Sequence, residues 1–228
     1  SSIPEWQNPS ALKTAYTTRP NINTNGVKFK GIVNANGYSS TILFEYGLNT
    51  NYDSTITAIT SPVSGTTNET VSSSRIPNLT LGAVYHVRMV VINIFGTFYS
   101  NDFQFTNLYY GAEYEGGFVF NFDDSGHGHV CYNSDAPNRL IWDDAMNYCA
   151  NLSGGINGSI YNDWFLPEIE DLILLKNNYP AGLPNVSVLQ GYWSSTLSNN
   201  NIAYFLKDLS KLSGPKTHDK FVRAVRSF

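Results

Sequence analysis

Between Val27 and Phe105 the chain is written in short alternating runs of apolar and polar residues, each closed by turn chemistry. Val27-Lys28-Phe29-Lys30-Gly31-Ile32-Val33 alternates and stops at Asn34-Ala35-Asn36-Gly37, a turn signal. Thr41–Tyr46 is a second run, ended by Gly47, and Thr55–Ile59 and Glu69–Ser73 are weaker ones. Tyr85–Ile92 has the clearest period of two. Phe95-Gly96 then turns the chain, and Thr97–Phe105 returns. Closely spaced strands with no helical period predict an antiparallel β-sandwich. The polar stretch before it, with Pro4, Pro9 and Pro20, reads as an exposed tether over residues 1–19.

The pattern changes after residue 107. Gly116–Phe122 reads as a strand, Asp123-Asp124-Ser125-Gly126 as its turn, and His127–Tyr132 as the returning arm. Trp142, Ala145, Met146, Cys149 and Leu152 fall at i, i+3, i+4, i+7 and i+10, the stripe of an amphipathic helix that Gly154-Gly155 should stop. A second helix is expected from Pro167, with Glu168, Glu170 and Asp171 at its positive end and Leu172, Leu174 and Leu175 facing inward. Short strands follow at Tyr192–Thr196, Ala203–Leu206 and Phe221–Phe228. Two domains result: a sandwich over 20–107 and an α+β domain over 108–228.

Composition narrows the partners. Charged residues are only 14% of the 228, against ~25% in ordinary soluble domains, and 15 Tyr, 13 Phe and 4 Trp accompany a surface of Asn, Ser, Thr and Gly. A net charge of −4 gives no basic face for nucleic acid, and no apolar run reaches the ~18 residues of a membrane span. Ser1 stands where a Met would start a new chain, which suggests a removed signal segment and an extracytoplasmic location. In an oxidising compartment Cys131 and Cys149 could close one disulfide, worth ~3 kcal/mol for a loop of that size. Two buried thiols are the alternative.

Leu79-Thr80-Leu81-Gly82-Ala83-Val84-Tyr85-His86-Val87-Arg88, with Phe44-Glu45-Tyr46-Gly47 and Phe95-Gly96-Thr97, resembles a bacterial fibronectin type III domain. The resemblance implies an immunoglobulin-like sandwich acting as a spacer, with Tyr85 bonding back to its corner. In the second half, Gly116-Gly117-Phe118-Val119-Phe120, Asp123-Asp124-Ser125-Gly126-His127-Gly128 and Trp142-x-x-Ala145 with Cys149-x-x-Leu152 occur in order. Asp163-Trp164-Phe165-Leu166-Pro167, Tyr192-Trp193-Ser194-Ser195 and Val222-Arg223-Ala224-Val225-Arg226 complete the series. This half resembles the bacterial Lcl C-terminal domain family. That implies a C-type lectin-like fold and an adhesin-like protein, surface-held (a lipoprotein is one form) or secreted, with carbohydrate-binding members.

Candidate chemistry is sparse. Asp123, Asp124, His127 and His129 form a polar cluster in which strand alternation could put both imidazoles on one face of a transition-metal site. Asp-Ser-Gly is equally turn chemistry, and the turn is the expected reading. Glu-Pro-Asn, Gln-Pro-Asp and Trp-Asn-Asp, the calcium triplets of sugar-binding C-type lectins, are missing, so no cofactor is expected and a structural calcium is the weaker alternative. Asp163 is expected to cap the second helix. Trp142, Trp164, Phe165 and Leu166 are expected in the core, and Arg223 or Arg226 beside a carboxylate such as Glu168 or Glu170. His86 is expected to be structural.

Ser194 and Ser195 have no base and no Gly-x-Ser-x-Gly elbow, and no cysteine follows Cys149. Catalysis is therefore not expected. Tyr192 and Trp193 alternate, so one of them should be exposed, beside a loop rich in asparagine over 185–201. Tyr192, Trp193, Asn199, Asn200 and Asn201 are the expected ligand contacts. The expected ligand is a glycan or matrix polymer. A structural module binding another surface protein is the alternative, and a glycoside hydrolase the weakest reading.

Overall fold

The computed structural model describes residues 12, 14–123, 126–178, 191–208 and 210–228. Among the described residues the protein is mostly β-sheet with two short α-helices, and its contacts divide it into two compact units, Ser1–Leu108 and Tyr109–Phe228.

The first unit holds β1 (Thr14–Asn23), β2 (Gly26–Asn34), β3 (Thr41–Gly47), β4 (Ser54–Thr57), β5 (Glu69–Ser72), β6 (Val84–Asn93), β7 (Gly96–Tyr99) and β8 (Phe103–Thr106). One sheet runs β1-β2-β5; the other runs β4-β3-β6-β7, with β8 also on β6. The period of two does what it should. Val27, Phe29 and Val33 of β2 and Val87, Met89 and Val91 of β6 are all buried, with Ile42, Phe44 and Val71, in one core fed by both sheets. Each large side chain so buried stabilises by roughly 1.5–3 kcal/mol. The Tyr85 hydroxyl accepts the Thr80 N–H at 3.1 Å and fixes the corner before β6. His86 lies against Asp102 at 2.7 Å.

Residues 14–19, expected as tether, are instead the start of β1 and pair with β2 from Thr14↔Asn34 onward. Threonines hid the alternation, and Pro20 sits inside the register shift between Thr18 and Asn21, where a missing N–H is tolerated. Residues 1–11 lie outside the described residues. The 97–105 run breaks into β7 and β8. Near that break Thr17 Oγ1 and Ser100 Oγ both accept the Met89 N–H, at 3.0 and 2.8 Å.

The second unit holds β9 (Glu113–Tyr114), β10 (Gly117–Phe122), β11 (Gly128–Cys131), α1 (Trp142–Ala150), α2 (Ile169–Asn178), β12 (Tyr192–Asn199), β13 (Ile202–Lys207), β14 (Ser210–Pro215) and β15 (Val225–Ser227). Its sheets run β15-β11-β10-β9 and β12-β13-β14. Helix α2 serves both. Leu175 packs with Phe120, Cys131 and Val225 on the first sheet, while Ile169 and Leu172 pack with Tyr192 and Leu206 on the second.

Several local expectations are corrected. Helix α1 ends at Ala150, before the glycines, with Asn151 closing it. Helix α2 starts at Ile169, and its first N–H groups are taken by Asp171 and Thr196, not by Asp163. Asp163 instead binds Arg226 through both oxygens, at 2.8 and 3.0 Å. Arg223, 1% exposed, binds Asp135 at 2.7 Å and the Tyr132 carbonyl at 2.9 Å. The buried arginines thus use Asp135 and Asp163 rather than Glu168 or Glu170, which are exposed. Cys131 and Cys149 are free and buried, so the expected disulfide is absent. Burial pushes both thiols up to about 12.

Candidate functional site: a basic, aromatic sheet face

Residues directly opposite in an antiparallel sheet share a face. The pairings Trp193↔Phe205, Phe205↔Leu212 and Lys207↔Ser210 therefore define one face of β12-β13-β14, and Tyr192↔Leu206↔Lys211 the other. The second face lies on α2, where Tyr192 is buried and its hydroxyl donates to Asp135 at 2.8 Å. The first face is crossed by the chain around Leu140 and Lys220. Trp193 is fully buried beneath it, donating its indole N–H to the Leu140 carbonyl at 2.9 Å. Neither Tyr192 nor Trp193 offers an exposed ring, because this strand is covered on both sides.

The exposed aromatic chemistry comes from Trp142. Its indole N–H donates to the Ser194 carbonyl at 2.8 Å, its ring is only half-buried, and the Lys216 ammonium stands 3.8 Å from the ring centre. Lys216 also ties the hairpin tip down. Its N–H donates to the Asn201 carbonyl at 3.0 Å, and its carbonyl accepts the Trp142 N–H at 3.0 Å. Asn199, Asn200 and Asn201 are exposed on that tip, where the Asn199 side chain accepts the Asn201 N–H. The tip asparagines are thus brought beside Trp142 and Lys216 rather than beside Tyr192 and Trp193. Residues 185–190 of the expected loop lie outside the described residues.

Lys220 repeats the motif further along. Its ammonium lies 3.8 Å from the centre of the Phe205 ring and 4.9 Å from that of Trp193. Burial, with Arg139 and Lys207 nearby, holds its pKa below the ordinary lysine value. Arg139 bonds Asp219, its NH2 group donating to the backbone carbonyl at 2.6 Å. Three ammonium–ring contacts, each worth about 0.5–2 kcal/mol, keep cationic groups on a face that also carries Lys207, Ser210 and Leu212, with the Phe205 ring itself buried. Sequence reading missed Lys216 and Lys220. Their only signal was their presence in a chain with few charges.

The hairpin cluster is a turn. Asp123 accepts the His127 N–H through its side chain at 3.1 Å, and the backbone closes Asp123 N–H to His127 carbonyl at 2.8 Å. His127 is exposed; His129 is half-buried with Nδ1 3.1 Å from Asp171, a charge contact short of an aligned hydrogen bond. Among the described residues no group of three metal-ligating side chains converges. Asp124 lies outside them. The serines are occupied: Ser194, fully buried, donates to the Tyr204 carbonyl and Ser195 to that of Pro167.

Comparison with protein-family models and with curated proteins finds no match. Among the described residues no helix is long and apolar enough to cross a membrane.

Proposed function

We propose that Tyr109–Phe228 is a non-catalytic recognition head for a glycan or matrix polymer carrying acidic groups, borne on a spacer and exposed outside the cell. The carrying observation is the pairing of Lys216 with Trp142 and of Lys220 with Phe205 on one sheet face, beside the asparagine tip. The half-buried Trp142 ring supplies apolar area, ammonium groups attract acidic substituents, and Asn side chains donate and accept hydrogen bonds. Such a face suits a polymer laid along it better than a small molecule in a pocket. The ordered motifs that resemble an Lcl C-terminal domain with a C-type lectin-like fold support the same reading. In the first unit, the Tyr85–Thr80 bond supports a fibronectin type III-like spacer.

The test is a glycan and glycosaminoglycan array probed with the full chain, with and without calcium. Binding to acidic polymers that falls at least about tenfold in Trp142→Ala and Lys216→Gln is expected, each removing one or two contacts of the face. Stable capture of a surface protein, with no glycan signal from folded protein, would assign the head to assembly instead.

A further inference from the structure

In the first unit, the turn between β6 and β7 places its apolar residues in water. Asn93 pairs with Gly96, so Ile94 and Phe95 occupy the two corner positions, where Gly, Asn and Asp are the ordinary residues. Ile94 is 78% exposed and Phe95 39%, and Ile92, at the end of β6, is also 39% exposed. The turn is held in shape. Asn93 Oδ1 accepts the Phe95 N–H at 2.9 Å, and the Phe95 ring meets Tyr38 of the β2–β3 loop edge-on at 4.8 Å. A fixed tip, not a frayed end, presents this apolar area.

The surroundings carry no charge. Segments 31–44, 54–68 and 89–101, which hold the loops of this end, contain no Asp, Glu, Lys or Arg. The connection from β4 to β5 joins the β2–β3 loop there, with the Gly37 N–H on the Gly65 carbonyl at 3.2 Å and the Ser40 N–H on that of Val63 at 2.8 Å. Exposed Ser39, Thr41 and Thr97 make a neutral polar rim. On the β3–β6 pair the first charges are Glu45 and Arg88, opposite each other and four rungs back from Thr41↔Ile92. At ~3.3 Å per residue that is about 13 Å. On the other sheet the first is Glu69, whose carboxylate lies against Gly65.

That depth suits one kind of partner. An amphipathic element in a bilayer interface sinks its apolar side about 5–10 Å, so the Glu45–Arg88 pair would stay in water. Protein interfaces fix their register with paired polar and charged groups, and this convex tip offers no charged one. A bilayer needs only apolar area at the right depth, with an amphipathic ring such as Tyr38 at the headgroups.

We propose that the β6–β7 tip is a membrane-interface anchor, with Ile94 and Phe95 entering the outer acyl region of a bilayer whose charge it does not read. The site is independent of the basic face of the second unit. The test sediments the full chain with phosphatidylcholine vesicles, and with vesicles that also contain phosphatidylserine, at low and high salt. The tip exposes less apolar area than one myristoyl chain, which binds with about 10⁴ M⁻¹, so a constant of about 10²–10³ M⁻¹ is expected. About 5 mM lipid should then carry down a third or more of the protein.

Binding to neutral vesicles should be the same at both salts and unchanged in Lys216→Gln/Lys220→Gln. It should fall at least about fivefold in Ile94→Asn/Phe95→Gly, which gives the turn its preferred Asn-Gly pair and so preserves the hairpin. No sedimentation with phosphatidylcholine, or equal sedimentation of the folded tip variant, would overturn the proposal. So would binding confined to the phosphatidylserine vesicles and lost at high salt, which would assign it to the lysines. Dimers of wild type that vanish in the tip variant would overturn it too, giving the tip to a second copy of the chain.

Discussion

Replacing Trp193 by alanine separates a core residue from a ligand platform. The side chain is fully buried, meets Phe205 edge-on with ring centres 5.9 Å apart, and donates to the Leu140 carbonyl at 2.9 Å. Truncating a buried Trp costs about 3–5 kcal/mol. The Leu140 carbonyl keeps the Lys220 N–H at 3.0 Å, so the lost indole hydrogen bond adds about 1 kcal/mol, for a total of roughly 4–6 kcal/mol. For a unit of this size that corresponds to a fall in Tm on the order of 10–25 °C. Urea denaturation of the full chain followed by tryptophan fluorescence and circular dichroism measures it. Trp142→Ala, at a half-buried ring, should cost only about 1–2 kcal/mol while abolishing the ammonium contact. A Trp193→Ala protein within about 1 kcal/mol of wild type would refute the placement of Trp193 and return it to the surface.

Other outcomes follow from the same contacts. Asp135→Ala leaves Arg223 buried without its carboxylate and should destabilise the second unit by about 3–5 kcal/mol in the same denaturation assay. The Asp171 carboxylate raises the His129 pKa against the opposing effect of burial. Stability from this pair is therefore full below the unfolded value of about 6.5 and lost as pH rises through the folded one. Wild type should lose more stability than His129→Gln between pH 6 and 9; identical slopes would contradict the pair. The Arg226 hydrogen bonds hold Asp163 below the usual carboxylate range, so its contribution is present above about pH 4 and lost on further acidification. Asp163→Asn should flatten that acid limb. Cys131 and Cys149 should resist a thiol reagent until the protein unfolds, and dithiothreitol should leave Tm unchanged; a downward shift would show a disulfide.

What the sequence disclosed, it disclosed through periodicity. The alternation at Val27–Val33 and Tyr85–Ile92 located β2 and β6 and named the residues that feed the first core. The apolar stripe from Trp142 located α1. Strand β14 was illegible because Ser-Lys-Leu-Ser-Gly-Pro has neither alternation nor β-branched residues, and its pairing with β13 is what makes it a strand. Alternation also placed Tyr192 and Trp193 on opposite faces correctly, but it cannot tell that both faces are covered. That depends on α2 on one side and on the chain near Leu140 on the other, each far away in sequence. Cysteine spacing likewise sets a loop length without setting a geometry. The stacking of Lys216 on Trp142 joins residues whose proximity only the folded sheet creates.

The central claim, recognition of an acidic polymer by the basic, aromatic face, is tested most directly by surface plasmon resonance of the full chain. It would run over an immobilised sulfated glycosaminoglycan and a neutral glucan, from about 50 to 200 mM salt, where screening of exposed charges deepens. Binding to the sulfated polymer that weakens with salt, and falls at least about tenfold in folded Lys216→Gln/Lys220→Gln, is the predicted result. Equal binding by wild type and that double variant, or none to either polymer, would contradict it.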